Sequence, residues 1–219
     1  MKNNQELAAD VAAAIKWEPL MRGTDIKVTA IDGLVTLTGF VDGNLKKYKA
    51  EDVAKSIIGV KAVIEHIELK FTNDDEKSDD AIALEIIHAL NADVQVPHDR
   101  ITVRVENGWV TFEGDLPWNF QKQAAAAAIR PIEGIKVFTN AIRIQPDSSD
   151  EIEQQAIQRA LRRSSSMDDQ DIHVYVKENH VTLDGVVNSY FQKEEAERIA
   201  WSAPGIATLK NELSIELRD

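Results

Sequence analysis

The 219 residues include no cysteine. Disulfides, thiolate metal sites and cysteine nucleophiles are therefore excluded, while either redox compartment stays open. No stretch approaches the roughly 20 consecutive apolar residues that a transmembrane helix needs. Residues 1–7 lack the apolar core of a secretory leader. The expected location is the cytoplasm, or the periplasm if further residues precede Met1. Positive charge is also in deficit: 25 Lys and Arg face 37 Asp and Glu, for a net charge of -12. That balance argues against a general nucleic-acid binder, whose affinity rests on clustered cations. It also argues against the whole surface lying on an anionic membrane.

Signatures of chemistry are equally scarce. The five histidines, at positions 66, 88, 98, 173 and 180, show no i, i+4 pair and no His-Glu-x-x-His run. His173 and His180 flank an expected hairpin, and the simplest reading is two exposed strand histidines. There is no EF-hand loop and no Gly-rich phosphate cradle. Asp168, Asp169 and Asp171 read as solvated loop charge before a strand. Ser164, Ser165 and Ser166 lack the Gly-x-Ser-x-Gly elbow of a serine hydrolase and read as a loop. The expectation is no enzyme, no catalytic residue, no bound metal and no cofactor.

What the sequence does contain is a repeat, written three times. Ile26-Lys27-Val28-Thr29-Ala30 is followed by Asp32-Gly33-Leu34-Val35-Thr36-Leu37-Thr38-Gly39. The same order returns as Ile101 to Val105 with Asn107 to Gly114, and as Ile172 to Val176 with Glu178 to Gly185, at offsets of 75 and 71. A second block keeps those offsets: Gly59-Val60, Gly134-Ile135 and Gly205-Ile206. Upstream, Val11 and Ile15 match Ile86 and Leu90, then Ile157 and Leu161. Repeated self-similarity marks a chain built from copies of one unit.

Each copy predicts the same elements. In residues 79–90, Ile82, Ile86, Ile87 and Leu90 make a helical apolar stripe, with Ser78, and Ser149 in the next copy, as N-caps. Two alternating strands follow, joined by Asp-Gly or Asn-Gly, a strong hairpin signal because both central residues need positive φ. Glu178-Asn179 fills this turn in the third copy and predicts a weaker hairpin. A second helix turns small residues inward (Ala50 and Ala54; Ala125 and Ala128; Ala196 and Ala200), and a last strand closes the unit. The right-handed crossover rule favours that strand returning beside the first. Glu65, Asn140 and Asn211 fall on the apolar parity of the last strand, which calls for a bulge or a local hydrogen-bonding role.

The fold class is therefore α+β: three tandem α-β-β-α-β modules, each a three-stranded sheet with two helices packed on one face. The expected domains are residues 1–72, 77–146 and 149–219, separated by short polar linkers. A unit of this size buries only about 60% of its unfolded surface and is marginal alone, so neighbouring modules are expected to touch.

The sequence of alternating strand, Asn/Asp-Gly turn, Val-Thr-Leu-x-Gly, Ala-rich helix and Gly-Val before a closing strand resembles the BON domain, over nearly the whole chain. The resemblance implies a non-enzymatic, OsmY-like module of the stress response that associates with phospholipid surfaces. It also brings an alternative, since one relative of the family binds potassium in the cytosol: a small-ligand or ion sensor. The family offers no catalytic motif to carry over.

Charge distribution adds a candidate contact. Residues 1–72 carry ten basic and ten acidic residues, residues 73–147 seven and thirteen, residues 148–219 eight and fourteen. The first copy has a basic run, Lys46, Lys47, Lys49 and Lys55 on its second helix and then Lys61. These lysines are the expected lipid or anion contacts, although a solvated helix face balanced by Glu51 and Asp52 explains them too. Lys47, Lys122 and Lys193 recur at one repeat position. Trp109 and Trp118 replace non-aromatic residues of the other copies and are candidates for inter-module packing or a partner surface. The expected partner is a phospholipid surface or another protein.

Overall fold

The computed structural model describes residues 3–70, 77–147, 152, 154–167 and 171–216. Ser149, Asp168, Asp169 and most of both linkers lie outside them. Three units of one design follow one another. Module 1 comprises α1 (Asn4–Trp17), β1 (Asp25–Ile31), β2 (Leu34–Val41), α2 (Asn44–Lys55) and β3 (Ala62–Leu69). Module 2 comprises α3 (Asp79–Ala92), β4 (Ile101–Glu106), β5 (Trp109–Leu116), α4 (Asn119–Ala128) and β6 (Val137–Ile144). Module 3 comprises α5 (Gln154–Arg163), β7 (Asp171–Lys177), β8 (His180–Val187), α6 (Tyr190–Ala200) and a last strand in two pieces, β9 (Thr208–Asn211) and β10 (Ser214–Ile215). Ser165–Met167 forms a 3₁₀ turn where a loop was expected.

The sheet order corrects one expectation. The closing strand does not return beside the first: β3 runs parallel to β2, and β6 and β9 pair with β5 and β8 in the same way. The crossover through the second helix returns the chain to the neighbouring strand and skips none, so the hairpin's second strand becomes central.

Alternation along the strands sends one side chain in two toward the helices. Val35, Leu37 and Val41 on β2, with Ile67 on β3, meet Leu7, Val11 and Ile15 from α1 and Ala50 and Ala54 from α2. Equivalent clusters form in the other modules, and each stays within its own unit. In module 2 the repeat position of Ala54 is filled by Ile129, which is buried; Ala128, expected there, is only partly so. Ile87 likewise turns out of the α3 stripe and is exposed.

Local chemistry fixes the turns. Asp32 and Gly33, and Asn107 and Gly108, all take positive φ. The turn is tied to the first helix of its module. Asn4 Oδ1 accepts from Asp32 N at 2.9 Å, and the Asp79 carboxylate accepts from Asn107 N and Gly108 N at 2.7 and 2.8 Å. In module 3 only Glu178 of the central pair takes positive φ (57°), so the strain sits on Glu178 and not on Asn179. The closing glycine of Val-Thr-Leu-x-Gly has a steric cause. A Cβ on Gly39, Gly114 or Gly185 would lie 2.3, 2.1 or 2.0 Å from the carbonyl oxygen of Asp25, Arg100 or Asp171, at or just before the start of the paired strand. Ser78 caps α3 as expected, its hydroxyl accepting from Ala81 N at 3.3 Å.

Candidate functional site

The polar residues on the apolar parity of the last strand turn out to be a brace. In module 2, Asn140 Oδ1 accepts from Ile142 N and Asn140 Nδ2 donates to the Lys122 carbonyl, while Lys122 Nζ donates to Ile142 O at 2.6 Å. Module 3 repeats it: Asn211 bridges Leu213 N and Lys193 O, and Lys193 Nζ donates to Leu213 O at 2.7 Å. In module 1 a charged pair does the same job, Lys47 Nζ lying 2.9 Å from Glu65 Oε2 while Glu65 also accepts from Ile67 N. The pairing register passes through Glu65 and Asn140 unbroken and resumes unshifted at Ser214 after the gap that follows Asn211, so these residues are local hydrogen-bonding devices and not bulges. The recurrence of Lys47, Lys122 and Lys193 follows from the brace. Burial holds the Lys122 ammonium below its ordinary pKa.

Lys46 and Lys49 of the basic run are also partnered. Lys46 Nζ is 2.8 Å from Asp42 Oδ2, a hydrogen bond that lowers the Asp42 pKa. Lys49 Nζ is 3.4 Å from Glu18 Oε2. Lys46 and Asp42 are a surface i, i+4 pair, of a kind worth about 0–1 kcal/mol and readily exchanged for another anion.

Lys55 faces a different module. Its ammonium lies 2.8 Å from Glu51, 3.4 Å from Glu194 and 5.0 Å from the centre of the Tyr190 ring. Burial opposes its charge, but hydrogen bonding to Glu51 and the charge of Glu194 outweigh that and raise its pKa. Arg130, at the same repeat position in module 2, lies 3.2 Å from Asp52 and 5.1 Å from the ring centre of Tyr48, both in module 1. Asn44 Nδ2 adds bonds to Ile132 O and Ile135 O at 3.3 and 3.2 Å. The second helix of module 1 thus contacts both other modules, through one geometry used twice.

One recurrent feature escaped the sequence reading. Leu45, Phe120 and Phe191 occupy the same position in the first turn of α2, α4 and α6, and are 43%, 52% and 48% exposed. They share the 75 and 71 offsets, but their apolar character looks like core unless the helix face is known. Trp118 leans over Phe120, ring centres 6.3 Å apart. Trp109 stands 59% exposed on the open face of its sheet, and Trp201 packs on the module 3 core. His173 approaches Asp171 at 3.6 Å and His180 contacts the Thr208 hydroxyl. Among the described residues no cluster of three or more His, Asp or Glu is arranged to hold a metal, and no helix is long and apolar enough to cross a membrane.

Three separate two-layer α+β units in tandem, each with surface contacts, define a class of small repeated modules. The sequence profile of the BON domain matches residues 3–70, 78–146 and 149–216, and the chain belongs to that family. The Osmotically-inducible protein Y of Escherichia coli (strain K12) is 27% identical over 145 residues, covering 64% of this chain and 72% of that protein. Among solved structures, the C-terminal domain of CdsD, the structural protein of the type III secretion system of Chlamydia trachomatis, aligns over 98% of this chain and all of its own, at 17% identity and a TM-score of 0.27. That score is too low to bear on the fold.

Proposed function

We propose that this protein is a non-enzymatic, multivalent binding or scaffold protein of the stress response, which contacts a phospholipid surface or a protein partner through its three BON domains. The observation that carries it is the threefold exposed apolar residue Leu45, Phe120 and Phe191, which no core requires. Side chains of this size, exposed at one position of every copy, give three equal weak contacts. Linked contacts gain through effective concentration what each lacks alone. The relative inducible by osmotic stress supports the stress assignment. In the lipid form of this reading, which places the protein in the cytoplasm, Lys46, Lys47 and Lys49 supply the headgroup contacts beside Leu45. Each must exchange its carboxylate (Asp42, Glu65 or Glu18) for a phosphate. Attraction is about 1 kcal/mol per lysine near an anionic surface.

Co-sedimentation with anionic vesicles at low salt tests this form. Binding should fall stepwise as Leu45, Phe120 and Phe191 are changed to Asp one after another, and should weaken in Lys46→Glu. Absence of binding at low salt removes the lipid form and leaves the protein partner.

A further inference from the structure

The sheet faces turned away from the helices differ between modules, although the backbone beneath them is the same. At the hairpin end, module 1 presents Ile31, Leu34 and Ala62 side by side, and module 3 presents Lys177, His180 and Thr208. Module 2 has Glu106, Trp109 and Val137, with Arg104 paired to Thr111 in the next row. The fold accepts leucine, histidine or tryptophan at the central position, so Trp109 is not there for the core. Its ring is exposed, and it borders a shallow depression of about 260 Å³ lined by Arg104, Glu106, Asn107, Trp109 and Thr111.

The polar groups around the indole are ready for a ligand. Arg104 and Glu106 lie two residues apart on one face of β4, about 6.6 Å by strand geometry, and form no ion pair with each other or with any other described side chain. Trp109 sits directly opposite Glu106 and Thr111 opposite Arg104, so guanidinium, carboxylate, hydroxyl and indole face make a two-by-two array. A net anion meets Glu106 and a net cation meets Arg104, so the array favours a neutral ligand carrying donors and acceptors together. It also favours one with an apolar C–H face for the indole, whose ring face is electron-rich. The depression lies below the roughly 300–1,000 Å³ of ordinary small-molecule clefts, which suits one ring.

We propose that the open sheet face of module 2 is a carbohydrate site, in which a neutral pyranose ring stacks on Trp109 and its hydroxyls bond Arg104, Glu106 and Thr111. This site belongs to module 2 alone and is independent of the threefold contact proposed above. Longer glycans can run out over the open face from a single bound ring.

The full chain, labelled with ¹⁵N, can be titrated with methyl β-glucopyranoside and with N-acetylglucosamine, with glycine betaine as zwitterion and inorganic phosphate as anion. The expected result is a saturable shift of the Trp109 indole N–H and of β4 and β5 amides with at least one sugar, at a dissociation constant on the order of 1 mM. Trp109→Leu, which installs the residue module 1 carries at this position, should weaken that binding at least tenfold with the rest of the spectrum unchanged, and Glu106→Gln should weaken it several-fold. No saturable shift with either sugar at about 100 mM, equal shifts with glycine betaine or phosphate, or undiminished binding by both variants would overturn the proposal.

Discussion

Leu37, Phe112 and Leu183 occupy one position in three cores, and each is fully buried. The side chains that join the modules are of the opposite kind: Asn44, Tyr48, Asp52, Lys55, Arg130, Tyr190 and Glu194 take part in hydrogen bonds, ion pairs and cation–π contacts. Among the described residues no buried apolar cluster crosses a seam. Inside a module, stability comes from apolar area removed from water, which salt does not screen. Between modules it comes from partly exposed charge, which salt does screen. The modules should therefore fold as separate units, held in register by contacts that solution conditions can loosen.

The hardest way to break this comparison is to damage one core and look for damage elsewhere. Phe112 is fully buried and meets Phe138 edge-on at 5.0 Å between ring centres. Phe112→Ala should destabilise module 2 by about 3–5 kcal/mol. Hydrogen exchange should then show lost protection in β4–β6 and α4 while β1–β3 and β7–β9 keep theirs. Collapse of all three modules together would show that the seams carry folding free energy.

A smaller effect is expected at the brace. Asn140→Ala removes the partner of Ile142 N and Lys122 O, and leaving such groups unsatisfied costs about 1–3 kcal/mol. The loss should appear in the unfolding midpoint of module 2 alone. Asn211→Ala should act likewise on module 3, where Asn211 also bonds Glu197.

These two positions show what the sequence could reveal and where it stopped. The α-β-β-α-β order, the hairpins and the burial of Val11, Ile86 and Ile157 were legible because each rests on local periodicity or turn chemistry. The place of the closing strand was not, since both candidate positions beside the hairpin satisfy the same handedness rule. Asn140 stood out as a polar residue at an apolar position, but its partner Lys122 lies 18 residues away on a helix and only folding brings the two together. The same limit hid Leu45, Phe120 and Phe191. They recur visibly, yet a recurring apolar residue at a helix start reads as core until the helix face is fixed. Trp109 was legible as an oddity of one copy; that Arg104 and Glu106 flank it unpaired required the strand register.

The third effect is a gain. Glu178 holds positive φ where modules 1 and 2 have Asp32 and Asn107, each followed by a glycine. A bulky side chain in that conformation costs about 1–2 kcal/mol. Replacing Glu178-Asn179 by Asn-Gly, the pair of module 2, should stabilise module 3 by about 1 kcal/mol. Its midpoint should rise about 4–8 °C for a unit of this size, with modules 1 and 2 unmoved.

The smallest effect on stability is the sharpest test of the seams. Lys55→Glu with Arg130→Glu places like charges against Glu194 and Asp52. Each core should keep its unfolding free energy within about 0.5 kcal/mol, as for surface changes generally, while the radius of gyration from small-angle scattering should increase. Unaltered protein should expand the same way in about 1 M salt, where the screening length falls to about 3 Å from about 8 Å at physiological strength. The pH response has a defined sign. Because Lys55 is held above its ordinary pKa of 10.5, its contribution to the module 1–module 3 seam is complete below that value and is lost as pH rises through the higher folded value. Expansion should thus set in on the alkaline side. If scattering stays constant under charge reversal, high salt and high pH alike, contacts other than Lys55 and Arg130 hold the modules together.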